Sequence, residues 1–306
     1  VLEIKPKNIL VIGDSILDAY VDGEVSRVSQ EAPVPIVLVN NPETYSLGGA
    51  ANTASNIVAL GGYCSLVTLI GDDEAGKIFE EKIKEAGVLL FPFSDLRKTS
   101  KKLRVRARGQ QMLRLDYEDT HEMLLSDLTD VLESTITSLI PNYDAVIVSD
   151  YNKGFLSKYL LQLISKSCLA AGKPLVIDPK HKDIRCYHNA SYVTPNEKEI
   201  MDLCPGWDTP EEASCYFSKV NQCGVLLTKG AKGITLIGGG EVIKNWPTQA
   251  KEVFDVSGAG DTVVAAFTLA LSSGSTEEEA IIFANKAAGV VVGKHGTATV
   301  TLKEIG

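Results

Sequence analysis

The feature that most restricts this chain is an alternation. Short apolar runs ending near Gly or Asp, NILVIG (8–13), CSLVTLIG (64–71), DAVIVSD (144–150) and PLVIDPK (174–180), are separated by stretches with helical spacing. A run without a polar face must be covered on both sides, which is the condition of a central strand in a parallel sheet. Residues 72–88, 125–140 and 155–172 carry the helical pattern that supplies the cover. The expected fold class is α/β, a doubly wound and mainly parallel sheet with helices on both faces. Two stretches break the rhythm. Residues 19–47 hold strand-forming residues with Pro33 and Pro35, and residues 101–118 alternate cations with apolar side chains. Both read as strands projecting from the body, with the prolines suited to edges. The result is one domain over 1–306 with a small β lid inserted at about 19–47 and 97–118.

Composition narrows the function. Thirty basic against 39 acidic residues give a net charge of −9, which disfavours non-specific binding to nucleic acid or to an anionic membrane. No apolar run approaches the ~20 residues of a membrane span, and the first residues lack a signal-peptide pattern, so a cytoplasmic location is expected. The six cysteines (64, 168, 186, 204, 215 and 223) form no C-x-x-C pair and read as reduced thiols. The histidines, 121, 181, 188 and 295, have no zinc-site spacing.

The densest chemistry lies in VFDVSGAGDT (253–262). Gly258, Ala259 and Gly260 form a small-residue turn ahead of an apolar helix that closes near Gly274. Amides in the first turn of a helix lack intrahelical acceptors and point outward with the positive end of the dipole, so this turn suits an anion such as phosphate. Asp261 sets a carboxylate beside those amides. It can take the proton of a hydroxyl that attacks a phosphoryl group, while the amides hold the charge on the group in flight. The helix start is expected to keep Asp261 ionised, with a low pKa. The bland alternative is an acidic residue that only favours the dipole.

Further polar residues gather where strands end, the usual ligand side of a parallel sheet. Asp14 and Asp18 follow the first strand and can accept from sugar hydroxyls, or can simply serve a turn. Gly48 and Gly49 precede a small-residue helix with Asn52 in its first turn, as a substrate contact or as a cap. Asp150 and Lys153 close DAVIVSD as a charged pair. Asn196 and Glu199 have capping-box spacing, and Glu199 also fits a carboxylate holding waters on Mg²⁺. Thr228, Gly230 and Gly233 make a turn with room for adenine or ribose. Lys102, Arg104, Arg106 and Arg108 fall on one strand face by period two. Such a row repels itself unless the acids of 22–31, or a substrate phosphate, neutralise it.

GDSILD (13–18), LGGAAN (47–52), TPNEKE (194–199), LLTKGAKG (226–233) and DVSGAGDT (255–262) resemble, in order and spacing, the ribokinase-like or PfkB sugar kinases over nearly the whole chain. The resemblance implies ATP at the GAGD end, Asp261 as base, an anion hole from Gly258, Ala259 and Gly260, and sugar contacts at Asp18, Gly48, Gly49 and Asn52. It also implies Asn196 and Glu199 near Mg²⁺ and the phosphates, nucleotide contacts at Thr228, Gly230, Gly233 and Asn285, and a monovalent cation such as K⁺ near Asp255. SRVSQEAPVPIV (26–37), KLRVRARGQQMLRLD (102–116), SDYNKG (149–154), IDPK (177–180) and WPTQAKEVFDVSGAGDT (246–262) are similar to the branch acting on D-glycero-D-manno-heptose 7-phosphate on the way to ADP-heptose. That branch gives Arg104, Asp150 and Lys153 a phosphosugar to receive. It implies a homodimer joined through the lid, whose strand edges invite pairing. The H-x-G-H motif of a nucleotidyltransferase often fused to such kinases is absent, so an isolated kinase domain or a stand-alone enzyme is expected. Competing readings are a kinase of another sugar, such as ribose or fructose 1-phosphate, and a non-catalytic sugar-phosphate sensor. A dinucleotide-binding enzyme would need G-x-G-x-x-G after the first strand.

Overall fold

The computed structural model describes residues 4–121, 126–180, 183–250 and 253–306. Residue 125, where a helix was expected to begin, His181 and residues 251–252 of the quoted string lie outside them. Each apolar run of the alternation forms a strand. In chain order the strands are β1 (Asn8–Gly13), β2 (Ser15–Val28), β3 (Pro35–Val39), β4 (Thr44–Gly49), β5 (Tyr63–Leu69), β6 (Leu89–Phe93), β7 (Lys101–Ala107), β8 (Gln110–Tyr117), β9 (Ala145–Ser149), β10 (Leu175–Asp178), β11 (Tyr192–Val193), β12 (Gly224–Thr228), β13 (Ile234–Gly238) and β14 (Glu241–Trp246). The helices are α1 (Ala50–Ala59), α2 (Glu74–Glu85), α3 (Ser126–Leu139), α4 (Lys158–Ala171), α5 (Glu197–Leu203), α6 (Pro210–Asn221), α7 (Ala259–Ser272), α8 (Glu277–Val291) and α9 (Leu302–Ile305).

The main sheet runs β14-β13-β12-β11-β10-β9-β1-β5-β6. It is parallel from β12 to β6, and β13 and β14 add antiparallel at one edge. Successive side chains of a strand point to opposite faces, so β1 feeds two cores. Ile9 and Val11 pack with residues of α1, α2, α7 and α8, while Leu10 and Ile12 pack with residues of α3, α4, α5 and α6. Each such fully buried aliphatic side chain contributes about 1.5–3 kcal/mol. After β1 the chain moves out to β5 and β6, then returns to β9 on the other side of β1. That reversal is a topological switch point, where strand ends part and a ligand crevice opens.

The lid is a second sheet, β3-β2-β7-β8, with β4 on β2. It takes in residues 15–49 and 101–117, because β2 starts directly after β1 with Ile16 and Leu17 still buried in the body. The cationic row is one residue shorter than period two predicts. Strand β7 stops at Ala107, and Arg108 (φ 50°) and Gly109 (φ 77°) form the turn into β8. A two-residue hairpin needs left-handed residues there, which takes Arg108 off the face. All eight residues of β8 are exposed.

Candidate active site

Asp261 sits in the first turn of α7 and is buried. Helix α1, buried from Ala50 to Ile57, brings two donors to it. Asn52 Nδ2 donates to Oδ2 at 2.8 Å, and Thr53 Oγ1 donates to Oδ1 at 3.2 Å. The Tyr151 hydroxyl, just past β9, donates to Oδ1 at 2.8 Å. A carboxylate offers about four lone-pair sites. Oδ1 is filled, and Oδ2 keeps a place for one more hydroxyl. The expected low pKa is not found: burial pushes Asp261 up to about 6, and the hydrogen bonds from Asn52, Tyr151 and Thr53 only partly offset it. Desolvation of a fully enclosed carboxylate outweighs neutral donors.

Helices α2, α4, α5, α6 and α8 are capped by the side chains of Asp73, Ser157, Asn196, Thr209 and Thr276. The two helices that meet at Asp261 start instead on Gly49 and Gly258, with no side-chain cap. At α1 the first amide, Ala50 N–H, goes to the Asp14 carbonyl at 3.0 Å. The three-amide hole needs one correction. Ala259 N–H closes the turn onto the Val256 carbonyl at 3.2 Å, whereas the amides of Gly258 and Gly260 meet no acceptor among the described residues. Gly258 has φ 78°, and a Cβ there would stand 2.5 Å from Asn52 Nδ2.

On the lid side, Asp18 is buried and accepts from Arg104 Nη1 at 2.5 Å. Gly48 lies directly against the Asp18 carboxylate, and Gly49 against the Asp14 carbonyl and the Tyr151 ring. Arg106 grips Asp22 with two hydrogen bonds of 2.8 and 2.7 Å. The cationic row is thus met by acids of β2, one of them inside the anticipated 22–31. Lys153 pairs with Glu118. Asp14 and Asp150 are both engaged by the surrounding chain. Asp14 accepts the amides of Tyr151, Lys153 and Phe155 (3.0, 3.1 and 3.3 Å). Asp150 accepts the amides of Asn152 and Lys180 and the Tyr187 hydroxyl (2.8, 3.3 and 3.2 Å). These strand-end carboxylates thereby hold the loop that presents Tyr151.

On the other side of Tyr151 a cavity of about 730 Å³ is lined by Thr120, Lys153, Lys180, Glu199 and Asp202. Asn196 and Glu199 form the reciprocal capping box, and Glu199 Oε1 also holds Lys180 Nζ at 2.8 Å. Thr228 Oγ1 points to the Pro195 carbonyl at 3.4 Å, and Gly230 and Gly233 bound a single 3₁₀ turn. Asn285 is buried, with Nδ2 donating to the Pro247 carbonyl at 2.6 Å, so its amide closes the 247 segment onto α8. The Asp255 carboxylate accepts the amides of Ser257 (2.9 Å) and Gly296 (3.0 Å). Against burial, these bonds and then Arg104 hold its pKa below the usual carboxylate value. Thr53, Tyr151 and Lys180 were not singled out as site residues by sequence reasoning. Tyr151 reaches Asp261 across 110 positions, and no local period encodes that.

Residues 6–304 match the profile of the pfkB family carbohydrate kinases. The Bifunctional protein HldE of Vibrio parahaemolyticus is 43% identical over 302 residues, 97% of this chain and 62% of that protein. Its counterpart in Sulfurimonas denitrificans is 42% identical over 304 residues, covering 97% and 63%. The chain therefore spans just over three-fifths of the length of these curated relatives. Among solved structures, Arabidopsis thaliana ribokinase complexed with ribose and ATP superposes with a TM-score of 0.75 at 22% identity, over 98% of both chains. Escherichia coli phosphofructokinase-2 superposes at 0.78 and 19% identity, over 98% of this chain and 97% of that one. These two show the same fold. With the family match running through both sheets and the Asp261 turn, the chain belongs to the pfkB family of carbohydrate kinases.

Proposed function

We propose that the chain transfers the γ-phosphoryl group of ATP to the anomeric hydroxyl of D-glycero-D-manno-heptose 7-phosphate, giving the 1,7-bisphosphate used for ADP-heptose. The observation that carries a phosphorylated acceptor is Lys102. It is half-buried beside Arg104 on β7, and no carboxylate pairs with it among the described residues, whereas Arg104 and Arg106 each have one. Burial and then the neighbouring Lys153 push its pKa down, with Asp116 and Asp18 opposing too weakly to cancel them. A half-buried cation among cations is unfavourable until an anion arrives. Asp18 is its direct neighbour across the β2–β7 register, so a phosphate on Lys102 brings the rest of an acceptor toward Asp18 and Asp261. The identity with the HldE proteins supports the same acceptor.

In this reading the acceptor hydroxyl donates to the open site on Asp261 Oδ2. Asp261 takes the proton as the sugar oxygen attacks phosphorus, and the free amides of Gly258 and Gly260 face the transferring charge. The triphosphate occupies the cavity beside Lys153 and Lys180, with the base of ATP toward Thr228, Gly230 and Gly233. Magnesium fits this donor set. Among the described residues no group of three His, Cys, Asp or Glu side chains could hold a metal. An ion carried by phosphates needs only one or two carboxylates, with water making up the shell. Glu199 would hold it through water, and the ion would neutralise phosphate charge. A monovalent cation such as K⁺ would lie by Asp255. The six cysteines are free thiols, which suits a reducing cytoplasm.

Lys102→Ala is expected to raise KM for heptose 7-phosphate by about 10–100-fold, the value of one hydrogen bond to a charged group. The kcat should change little. ADP release over a panel of phosphorylated and free sugars checks this. Equal turnover of unphosphorylated hexoses, or an unmoved KM, removes the phosphosugar assignment. We also place a homodimer interface on the lid. Strand β8 leaves Met112, Leu113, Leu115 and Tyr117 exposed, an apolar surface at a sheet edge. Light scattering at micromolar concentration should give twice the chain mass, and Leu113→Glu should halve it. A wild-type monomer ends that reading.

A further inference from the structure

A buried ion pair outside the reading above lies between the lid and the loop that carries Tyr151. Asp95 and Arg97 follow β6 and are 8% and 7% exposed. Arg97 holds both Asp95 oxygens, Nε to Oδ1 at 2.6 Å and Nη2 to Oδ2 at 2.7 Å. Its fork also donates to two distant carbonyls, from Nη1 to Lys153 at 2.8 Å and from Nη2 to His121 at 3.0 Å. Leu96, between the pair, has φ 70° and is 96% exposed. A leucine in that region is strained, and this one recovers nothing by burial. The ion pair is what holds the turn.

The loop it reaches is constrained as well. Asn152 has φ 53° and Gly154 φ 87°, and a Cβ at Gly154 would run into the His121 carbonyl. Three segments are therefore pressed together at one guanidinium: the root of β7, the stretch leaving β8, and residues 151–154. Lys153 is held at three points, its amide by Asp14, its carbonyl by Arg97 and its ammonium by Glu118. Two residues earlier, the Tyr151 amide sits on the same Asp14 oxygen at 3.0 Å, and its hydroxyl reaches Asp261.

We propose that Arg97 is a positioning residue that fixes the 151–154 loop against the lid's root and return strand, and so sets the Tyr151 hydroxyl on Asp261. This rests on Asp261 as the base. Lysine keeps the charge at position 97 but lacks the planar fork that serves one carboxylate and two carbonyls together. The groups that face Asp261 are Asn52 and Thr53 of α1, Tyr151, Asp18 of β2 and Asp178 of β10, with Glu199 beyond Tyr151. Only the Tyr151 contact is altered by the substitutions below.

The test is the pH profile of kcat for wild type, Arg97→Lys, Tyr151→Phe and the double variant, at saturating substrates. Arg97→Lys should lower kcat by about ten- to a hundredfold, the scale of a misplaced catalytic contact. Its acid limb should move to higher pH, because the ionised carboxylate has lost a donor. Tyr151→Phe should move the limb the same way, and the double variant should be no worse than the worse single one. An unmoved limb in Arg97→Lys, or single effects that multiply in the double variant, overturns the proposal. If Arg97→Lys does not fold, Gly154→Ala tests the same junction: a limb shift supports it, and an unmoved limb overturns it. Asp261→Asn, run alongside, separates the failures. Retained turnover there overturns the base itself, whereas lost turnover with an unmoved limb in Arg97→Lys overturns only the positioning role.

Discussion

Asp261→Asn is expected to lower kcat by about 10³-fold, within the 10²–10⁴ that general-base catalysis supplies. Sugar affinity should hold, because the amide fills the same space and Asp18, Gly48 and Gly49 are untouched. The pH dependence of the wild type checks the same carboxylate. The proposed mechanism needs Asp261 ionised, and burial pushes its pKa up to about 6. Activity is therefore full above that value and is lost as pH falls through it. Asp14 titrates alongside, since burial and then Asp150 push it up to about 6 despite three backbone amides. Protonating Asp14 loosens the loop that presents Tyr151, so the fall should be steeper than one proton allows. A kcat that stays flat down to pH 5, or an Asn variant with near-normal turnover, removes Asp261 as the base.

Gly258→Ala should be nearly as damaging, at about 10²–10³ in kcat, the usual loss when one charge-stabilising donor is displaced. Alanine is strained at φ 78°, and its methyl would press on Asn52 Nδ2, the group that holds Asp261 Oδ2. Either the start of α7 unwinds or Asn52 leaves the base. Gly260→Ala is the control, because a Cβ there meets nothing within 4 Å. Thermal melts with kcat on both variants decide it. A Gly258→Ala enzyme as stable and active as the Gly260→Ala enzyme would show that the turn tolerates a side chain and that the amides are not critically placed.

The strands of the main sheet were legible because each apolar run must be covered on both sides. The lid was legible because its cations alternate with period two. Arg108 was misplaced since a tight hairpin overrides that period with its own backbone demand. Asp261, Asn52 and the two glycine turns stood out as local strings. The pKa of Asp261 was misjudged, because a string shows the helix start but not the packing of α1 that seals the carboxylate from water. Tyr151, Thr53 and Arg97 act through contacts made only when distant segments meet, so no window of the sequence displays them. Asp14 and Asp150 show the converse: their place at strand ends was legible, but not the amides of Tyr151, Lys153 and Phe155 on the one, or those of Asn152 and Lys180 on the other.

The two sheets divide the labour. Asp261, its donors and the two glycine-led helix starts are built into the packed body, whereas Arg104 and Lys102 ride on the second, five-stranded sheet. Acceptor preference can therefore drift through changes on that layer while the transfer chemistry stays as it is. A chimera that exchanges the layer for that of another family member would inherit the donor's appetite for sugars and keep the host's rate-limiting step.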